Sequence, residues 1–173
     1  MTEMLSVHTP ADIDSVVALA RDIWIEHYVP IIGQSQTDYM LAKFQSRSAI
    51  ARQIAEGHQY YVVMDDGAHA GYFAIVPNHA EHRTLLSKIY VKPERRRTGL
   101  GKAILAFVEE RCAGMGIRDL WLTVNRHNTD SIGFYEHLGF TISETVVQDI
   151  GNGFVMDDYK MVKVFHPAEQ GMQ

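Results

Sequence analysis

Leu85-Leu86-Ser87-Lys88-Ile89-Tyr90-Val91, followed closely by Arg96-Arg97-Thr98-Gly99-Leu100-Gly101-Lys102, is the stretch that decides how this chain folds. The first segment reads as a strand and the second as a glycine turn. An apolar-periodic helix follows, with Leu100, Ala103, Ile104, Phe107, Val108, Cys112 and Met115 on one face and a stop at Gly114 or Gly116. Strand, glycine turn and helix in that order make a phosphate cradle. The glycines let the backbone come close to a ligand, and the helix start offers unpaired N–H groups to an anion. Five of the sixteen Lys and Arg residues (Lys92, Arg95, Arg96, Arg97, Lys102) fall in the eleven positions 92–102 against one acid, Glu94, in a chain of net charge −5. That concentration marks a bound polyanion.

The rest of the chain narrows the class. Its 173 residues fit one domain over 1–173 with a short flexible tail at 166–173, and 46% hydrophobic with 21% charged residues is globular composition. The acidic balance argues against a general nucleic-acid binder, whose affinity rests on many cationic phosphate contacts, and it favours a cationic substrate. No apolar run reaches membrane-spanning length and no signal-peptide layout opens the chain, so a cytoplasmic protein without membrane contact is expected. The lone Cys112 lies inside the helical pattern and reads as a small buried hydrophobe.

Around the glycine turn the pattern alternates between helix and strand. Leu5 to His8 alternate weakly as a first strand, Thr9-Pro10-Ala11-Asp12 reads as a helix start, and the helix should end before Pro30. One or two short helices are expected between Gln36 and Ala55. Tyr60 to Met64 and Gly71 to Val76 flank Asp65-Asp66-Gly67 as a hairpin. Leu120 to Val124 is a strand, Asn128 to Leu138 a helix closed by Gly139, and Phe140 to Ile150 pairs with Phe154 to Phe165 across Gly151-Asn152-Gly153. The expected fold is α/β: a mixed, mostly antiparallel sheet flanked by helices, with one parallel crossover in its middle.

Two phosphate-binding look-alikes fail on residue identity. A Walker loop needs glycine and Ser/Thr where Arg96 and Ala103 stand, which argues against an ATP-binding phosphotransferase. A dinucleotide fingerprint needs a third glycine where Ile104 stands. The remaining pattern, Arg96-x-x-Gly99-x-Gly101, resembles the acetyl-CoA motif of the GNAT superfamily of N-acetyltransferases. About thirty residues downstream, Asn128-Thr129-Asp130-Ser131-Ile132-Gly133-Phe134-Tyr135-Glu136-His137-Leu138-Gly139-Phe140 resembles a second segment of that family. Within it, Trp121-Leu122-Thr123-Val124 and the run Gly153 to Met161 are similar to the PaiA-like group, linked to spermidine and spermine acetylation.

The resemblance implies an enzyme that transfers acetyl from acetyl-CoA, its co-substrate, by direct attack of an amine, polyamine-like or peptidyl. Main-chain groups of Ile89 and Val91, with Tyr90 between them, would pair with the pantetheine arm. The pyrophosphate would sit on N–H groups from Arg96 or Arg97 through Thr98, Gly99, Leu100, Gly101 and Lys102. Asn128 has two readings, a helix N-cap and a cofactor contact. Tyr135 matches the family's acid for the leaving thiolate, and a phenol of pKa ~10 suits a thiol of pKa ~8.5. A protonated aliphatic amine needs roughly 4 kcal/mol to reach its free base at pH 7, so a base or a water path is required. The sequence names no unique base. Glu26 and His27 could line the acceptor side, and Asp157, Asp158 and Tyr159 could steer a cationic acceptor; surface roles are the alternative for each. His79 and His82 lack a metal-site arrangement, so no metal is expected. Among similar proteins a homodimer paired through the sheet or the final strands is common. The competing class is a non-catalytic acyl-CoA-binding regulatory module, against which the presence of Tyr135 counts.

Overall fold

The computed structural model describes residues 1–165, and the expected tail over 166–173 lies outside the described residues. The elements run β1 (Thr2–Ser6), α1 (Pro10–Ile32), α2 (Gln34–Phe44), α3 (Arg47–Ala55), β2 (Gln59–Asp65), β3 (Ala68–Asn78) and β4 (Arg83–Val91). A single 3-10 turn (Pro93–Arg95) leads to α4 (Leu100–Gly114), β5 (Asp119–Asn125), α5 (Thr129–His137), β6 (Thr141–Gly151) and β7 (Phe154–Val164). The hydrogen-bonded strand order is β1-β2-β3-β4-β5-β7-β6. This is the expected α/β fold with a mostly antiparallel sheet, and its parallel pair is β4 with β5, over Arg83 to Leu85 against Asp119 to Trp121.

The described residues divide into two compact units, Met1–Val76 with Lys88–Ile104, and Pro77–Ser87 with 105–165. In the first, α1 packs on α2, α3 and β2. Val16, Ala20, Ile23, Trp24 and Ile50 are buried there, as are Tyr60, Val63, Tyr72 and Phe73. Helix α1 begins as its sequence demands. Thr9 Oγ1 accepts from Asp12 N–H at 3.1 Å, and Asp12 Oδ2 accepts from Thr9 N–H at 2.9 Å, a capping box. The hairpin turn places Asp66 at φ 51° and Gly67 at φ 80°, the left-handed pair that a two-residue β-turn requires.

In the second unit, β7 pairs with β5 on one side and β6 on the other. Leu105, Val108, Cys112, Ile117, Leu120, Leu122 and Met161 are buried. The Cys112 thiol lies 3.3 Å from Thr84 Oγ1, and burial pushes its pKa up, as befits a packing residue.

Two of the boundaries that differ from the sequence reading have a clear physical reason. The first strand is Thr2–Ser6 rather than Leu5 to His8, because Thr2 to Ser6 pair in register with Asp65 back to Tyr61. Helix α1 runs through Pro30 to Ile32 instead of stopping before the proline. Pro30 falls in the last turn, so it removes one bond near an end where carbonyls already lack partners, and Gly33 closes the helix by donating to Val29 C=O at 2.9 Å.

Candidate functional site

The first unit holds the glycine turn and most of the residues that the sequence singled out. Strand β4 is gripped from β3, where Lys92 N–H donates to Ala70 C=O at 2.8 Å. A Cβ added at Gly71 would lie 2.3 Å from the Tyr90 carbonyl oxygen, so only glycine allows this approach. Tyr90 turns its ring into an aromatic cluster with Trp24, Tyr28 and Tyr72, at centroid distances of 5.4, 6.1 and 5.4 Å. The Tyr28 and Tyr90 hydroxyls meet at 3.2 Å, and Trp24 Nε1 donates to the Tyr72 hydroxyl at 2.9 Å. Ile89 and Val91 alternate with Tyr90 along β4, so their side chains leave on its other side.

The cations after β4 divide their labour. Arg95 pairs with Asp65 at 2.7 Å, tying the 3-10 turn to the end of β2. Arg96 donates through Nε to Val91 C=O at 3.1 Å and pairs with Glu26 at 3.1 Å, while its main-chain N–H donates to Pro93 C=O at 3.2 Å. These two arginines brace the loop. Arg97 and Lys102 stay exposed, and among the described residues no carboxylate pairs with either. Arg97 at φ 63° and Gly99 at φ 88° bend the chain into α4, whose first intrahelical bond runs from Ala103 N–H to Gly99 C=O at 3.0 Å. Helix geometry therefore leaves the N–H groups of Gly99 through Lys102 without intrahelical partners. A Cβ at Gly99 would meet nothing within 4 Å, so the turn faces open space. Donors, cations and room are what a diphosphate needs.

Glu26 is thus engaged with Arg96, and His27 packs edge-on against Tyr28 at 4.9 Å. The sequence reading missed Lys88 of β4. Its Nζ donates to Gln53 Oε1 at 3.1 Å and lies 5.4 Å from the centre of the Tyr60 ring. Burial lowers its pKa to about 8. A lysine followed directly by Ile89, Tyr90 and Val91 within the strand was the available signal.

The second unit holds the remaining candidates. Asn128 is buried and caps α5, its Oδ1 accepting from Ser131 N–H at 3.4 Å. Tyr135 is buried on α5, with its ring 5.7 Å from those of Phe134 and Phe140. On β7, Asp157 lies 3.5 Å from Arg126 Nε, and the Arg126 guanidinium sits over the Tyr159 ring at 5.3 Å. Asp158 is 6% exposed, and burial, with Asp157 adding to it, raises its pKa to about 6 against the hydrogen bond from Thr123. Among the described residues no group of three or more His, Cys, Asp and Glu side chains could hold a metal ion. No helix of the described residues is long and apolar enough to cross a membrane.

Residues 18–140 match the acetyltransferase (GNAT) family, and the chain belongs to that family of N-acetyltransferases. A spermidine N(1)-acetyltransferase of Thermoplasma acidophilum is 26% identical over 153 residues, 84% of this chain and 90% of that protein. The ribosomal protein bS18 alanine N-acetyltransferase of Escherichia coli is 33% identical over 95 residues, 55% of this chain and 63% of that one. In three dimensions the fold is similar to that of the PaiA N-acetyltransferase from Thermoplasma acidophilum, crystallised with coenzyme A. The TM-score is 0.79 at 20% identity, over 95% of this chain and 99% of that one. The PaiA-like resemblance thus has support from both sequence and fold.

Proposed function

We propose that this N-acetyltransferase moves acetyl from acetyl-CoA to the primary amine of a small cationic acceptor of polyamine type. The observation that carries the reading is the braced turn. Arg95 and Arg96 hold the loop, and the N–H groups of Gly99 through Lys102 lack intrahelical partners at a turn where a Cβ on Gly99 would meet nothing, with the exposed Arg97 and Lys102 beside them. A diphosphate placed there gains several charge-assisted contacts, each of about 0.3–1 kcal/mol when exposed. Main-chain groups of Ile89 and Val91 take the pantetheine amides as a strand edge takes a peptide. Tyr90 stays in its aromatic cluster and sets the strand's position.

Acetyl-CoA supplies an activated acyl group and a thiolate leaving group. Tyr135 protonates that thiolate, and its burial against Phe134 and Phe140 fixes the phenol's position. Asn128 holds the start of the helix that carries Tyr135. The acidic overall charge and the Asp157-Asp158 pair favour a cationic acceptor, and the relative named for spermidine acetylation agrees with that class.

Thiol release measured with acetyl-CoA and a panel of diamines, polyamines and N-terminal peptides tests the reading. Turnover should be fastest with the polyamines. Tyr135→Phe should lower kcat by about 10²-fold while leaving coenzyme A affinity within a few-fold. Absence of turnover with every amine would refute it.

A further inference from the structure

Asp158 is, among the described residues, the one buried carboxylate. Strand register sets it directly opposite Asn125 of β5 and Val146 of β6. Cross-strand partners share a face, so Thr123, Asn125 and Lys160 stand on the same side of the sheet as Asp158. The Thr123 hydroxyl donates to the Asp158 carboxyl, and Thr123 is itself exposed, so the carboxyl lies one side chain beneath the surface.

The charged neighbours do not neutralise it. Asp157, next in the chain, adds a like charge. Arg126 is taken by Asp157 at 3.5 Å and by the Tyr159 ring. Lys160 is 3.8 Å from Glu144 of β6 and lies over Trp121 at 4.8 Å. Among the described residues no lysine, arginine or histidine pairs with Asp158. A buried carboxylate with one hydroxyl and a neighbouring acid for company is costly, and such a cost marks a site that awaits a cation. The position fits: Asn125 ends β5, and Asn128, three residues on, caps the helix that carries Tyr135.

We propose that Asp158 pairs with the acceptor's ammonium and takes one of its protons, freeing the nitrogen lone pair to attack the acetyl carbonyl. This rests on the acetyltransferase reading above. The ammonium first gives one proton to a carboxylate oxygen of Asp158, and the freed lone pair then forms the C–N bond as the C–S bond breaks toward sulfur. The thiolate takes a proton from Tyr135, the second proton of the acylated nitrogen returns to the tyrosinate, and Asp158 releases its proton to solvent, so that ammonium and acetyl-CoA give amide, thiol and one proton. Burial holds the carboxyl at about 6, so it is mostly ionised at pH 7 and yet a stronger base than an exposed aspartate.

The experiment is the pH profile of kcat/KM with a diamine acceptor, with coenzyme A binding measured in parallel by calorimetry. Wild type should show an acid limb near pH 6. Asp158→Asn should lose that limb and fall by about 10²-fold or more at pH 7.5, with coenzyme A affinity kept and Asp158→Glu recovering part of the rate. Thr123→Val, at an exposed position, removes the donor that opposes the rise and should move the limb upward, which decides the matter if Asp158→Asn fails to fold. Asp158→Asn with activity within three-fold of wild type, or a limb unmoved in Thr123→Val, overturns the assignment and leaves acetyl transfer standing. A wild type with no turnover toward any amine refutes acetyl transfer first, and this step with it.

Discussion

Each of the two units places in its sheet a side chain whose charge burial disfavours, Lys88 in the first and Asp158 in the second, and the two are treated differently. In the first, Lys88 is pulled down to about 8 by burial, yet its ammonium donates to Gln53 Oε1 and stands near the Tyr60 ring. In the second, Asp158 is pushed up to about 6 with one hydroxyl and a second acid beside it. The lysine is part of a polar network in which Gln53 also accepts from the Tyr60 hydroxyl at 2.6 Å and donates to Phe44 C=O at 3.0 Å. The aspartate lacks such a network. A charge with its partners supplied serves the scaffold, whereas a charge kept waiting sacrifices stability for a ligand.

Breaking the satisfied site should have the largest effect. Gln53→Leu strips an acceptor from both Tyr60 and Lys88 and a donor from the Phe44 carbonyl, costing about 3 kcal/mol or more in urea unfolding at pH 7. The sign of its pH dependence is set by Lys88. Losing the amide oxygen lowers the folded lysine's pKa below its value of about 8, so the charge-related part of the loss is full at acid pH and fades as pH rises through about 8. A loss identical at pH 7 and pH 11 would show that Lys88 takes no part.

Relieving the unsatisfied site should do the reverse. The folded Asp158 carboxyl titrates near 6 against 3.8 unfolded, so the folded form holds its proton more tightly. Stability therefore falls as pH rises from about 3.8 through 6 and stays lower above that window. Asp158→Asn escapes this penalty and should gain about 2–3 kcal/mol at pH 7.5 but nothing at pH 3.5, even as activity is lost. Destabilisation at pH 7.5 would mean that the carboxylate has a structural partner after all.

Much of this frame was legible from local chemistry. Asp66-Gly67 and Asn152-Gly153 adopt the positive φ angles their residue types favour, 51° and 80°, 55° and 78°, and so both hairpins were readable. Asn128 caps α5 and the glycine turn opens α4, as their short-range patterns required. What escaped depends on distant partners. Nothing near Arg95 or Arg96 signals Asp65 or Glu26, 30 and 70 residues away, so bracing arginines and exposed ones looked alike. Asp157 and Asp158 are adjacent acids in the sequence. Only the register of β7 against β5 decides which one is buried, and a one-residue slip would exchange them.

The smallest expected effect comes from a third carboxylate that is the counter-case to Asp158. Asp12 is half-buried at the surface, and N–H groups of His8 and Thr9 donate to its Oδ2 at 2.9 Å each, holding its pKa below the ordinary carboxylate value. Hydrogen bonds to the ionised form here do what burial undoes at Asp158. Asp12→Asn keeps the shape of the capping box and weakens its acceptor, so the loss should stay under about 1 kcal/mol. A lowered folded pKa contributes stability above the unfolded value of 3.8 that disappears as pH falls through the folded one. The difference between wild type and Asp12→Asn should therefore be full at pH 6 and vanish in strong acid, opposite in sign to the Asp158→Asn gain. If thermal unfolding gave both variants the same sign at pH 6 to 7.5, the contrast between a carboxylate held by donors and one left waiting for a cation would fail.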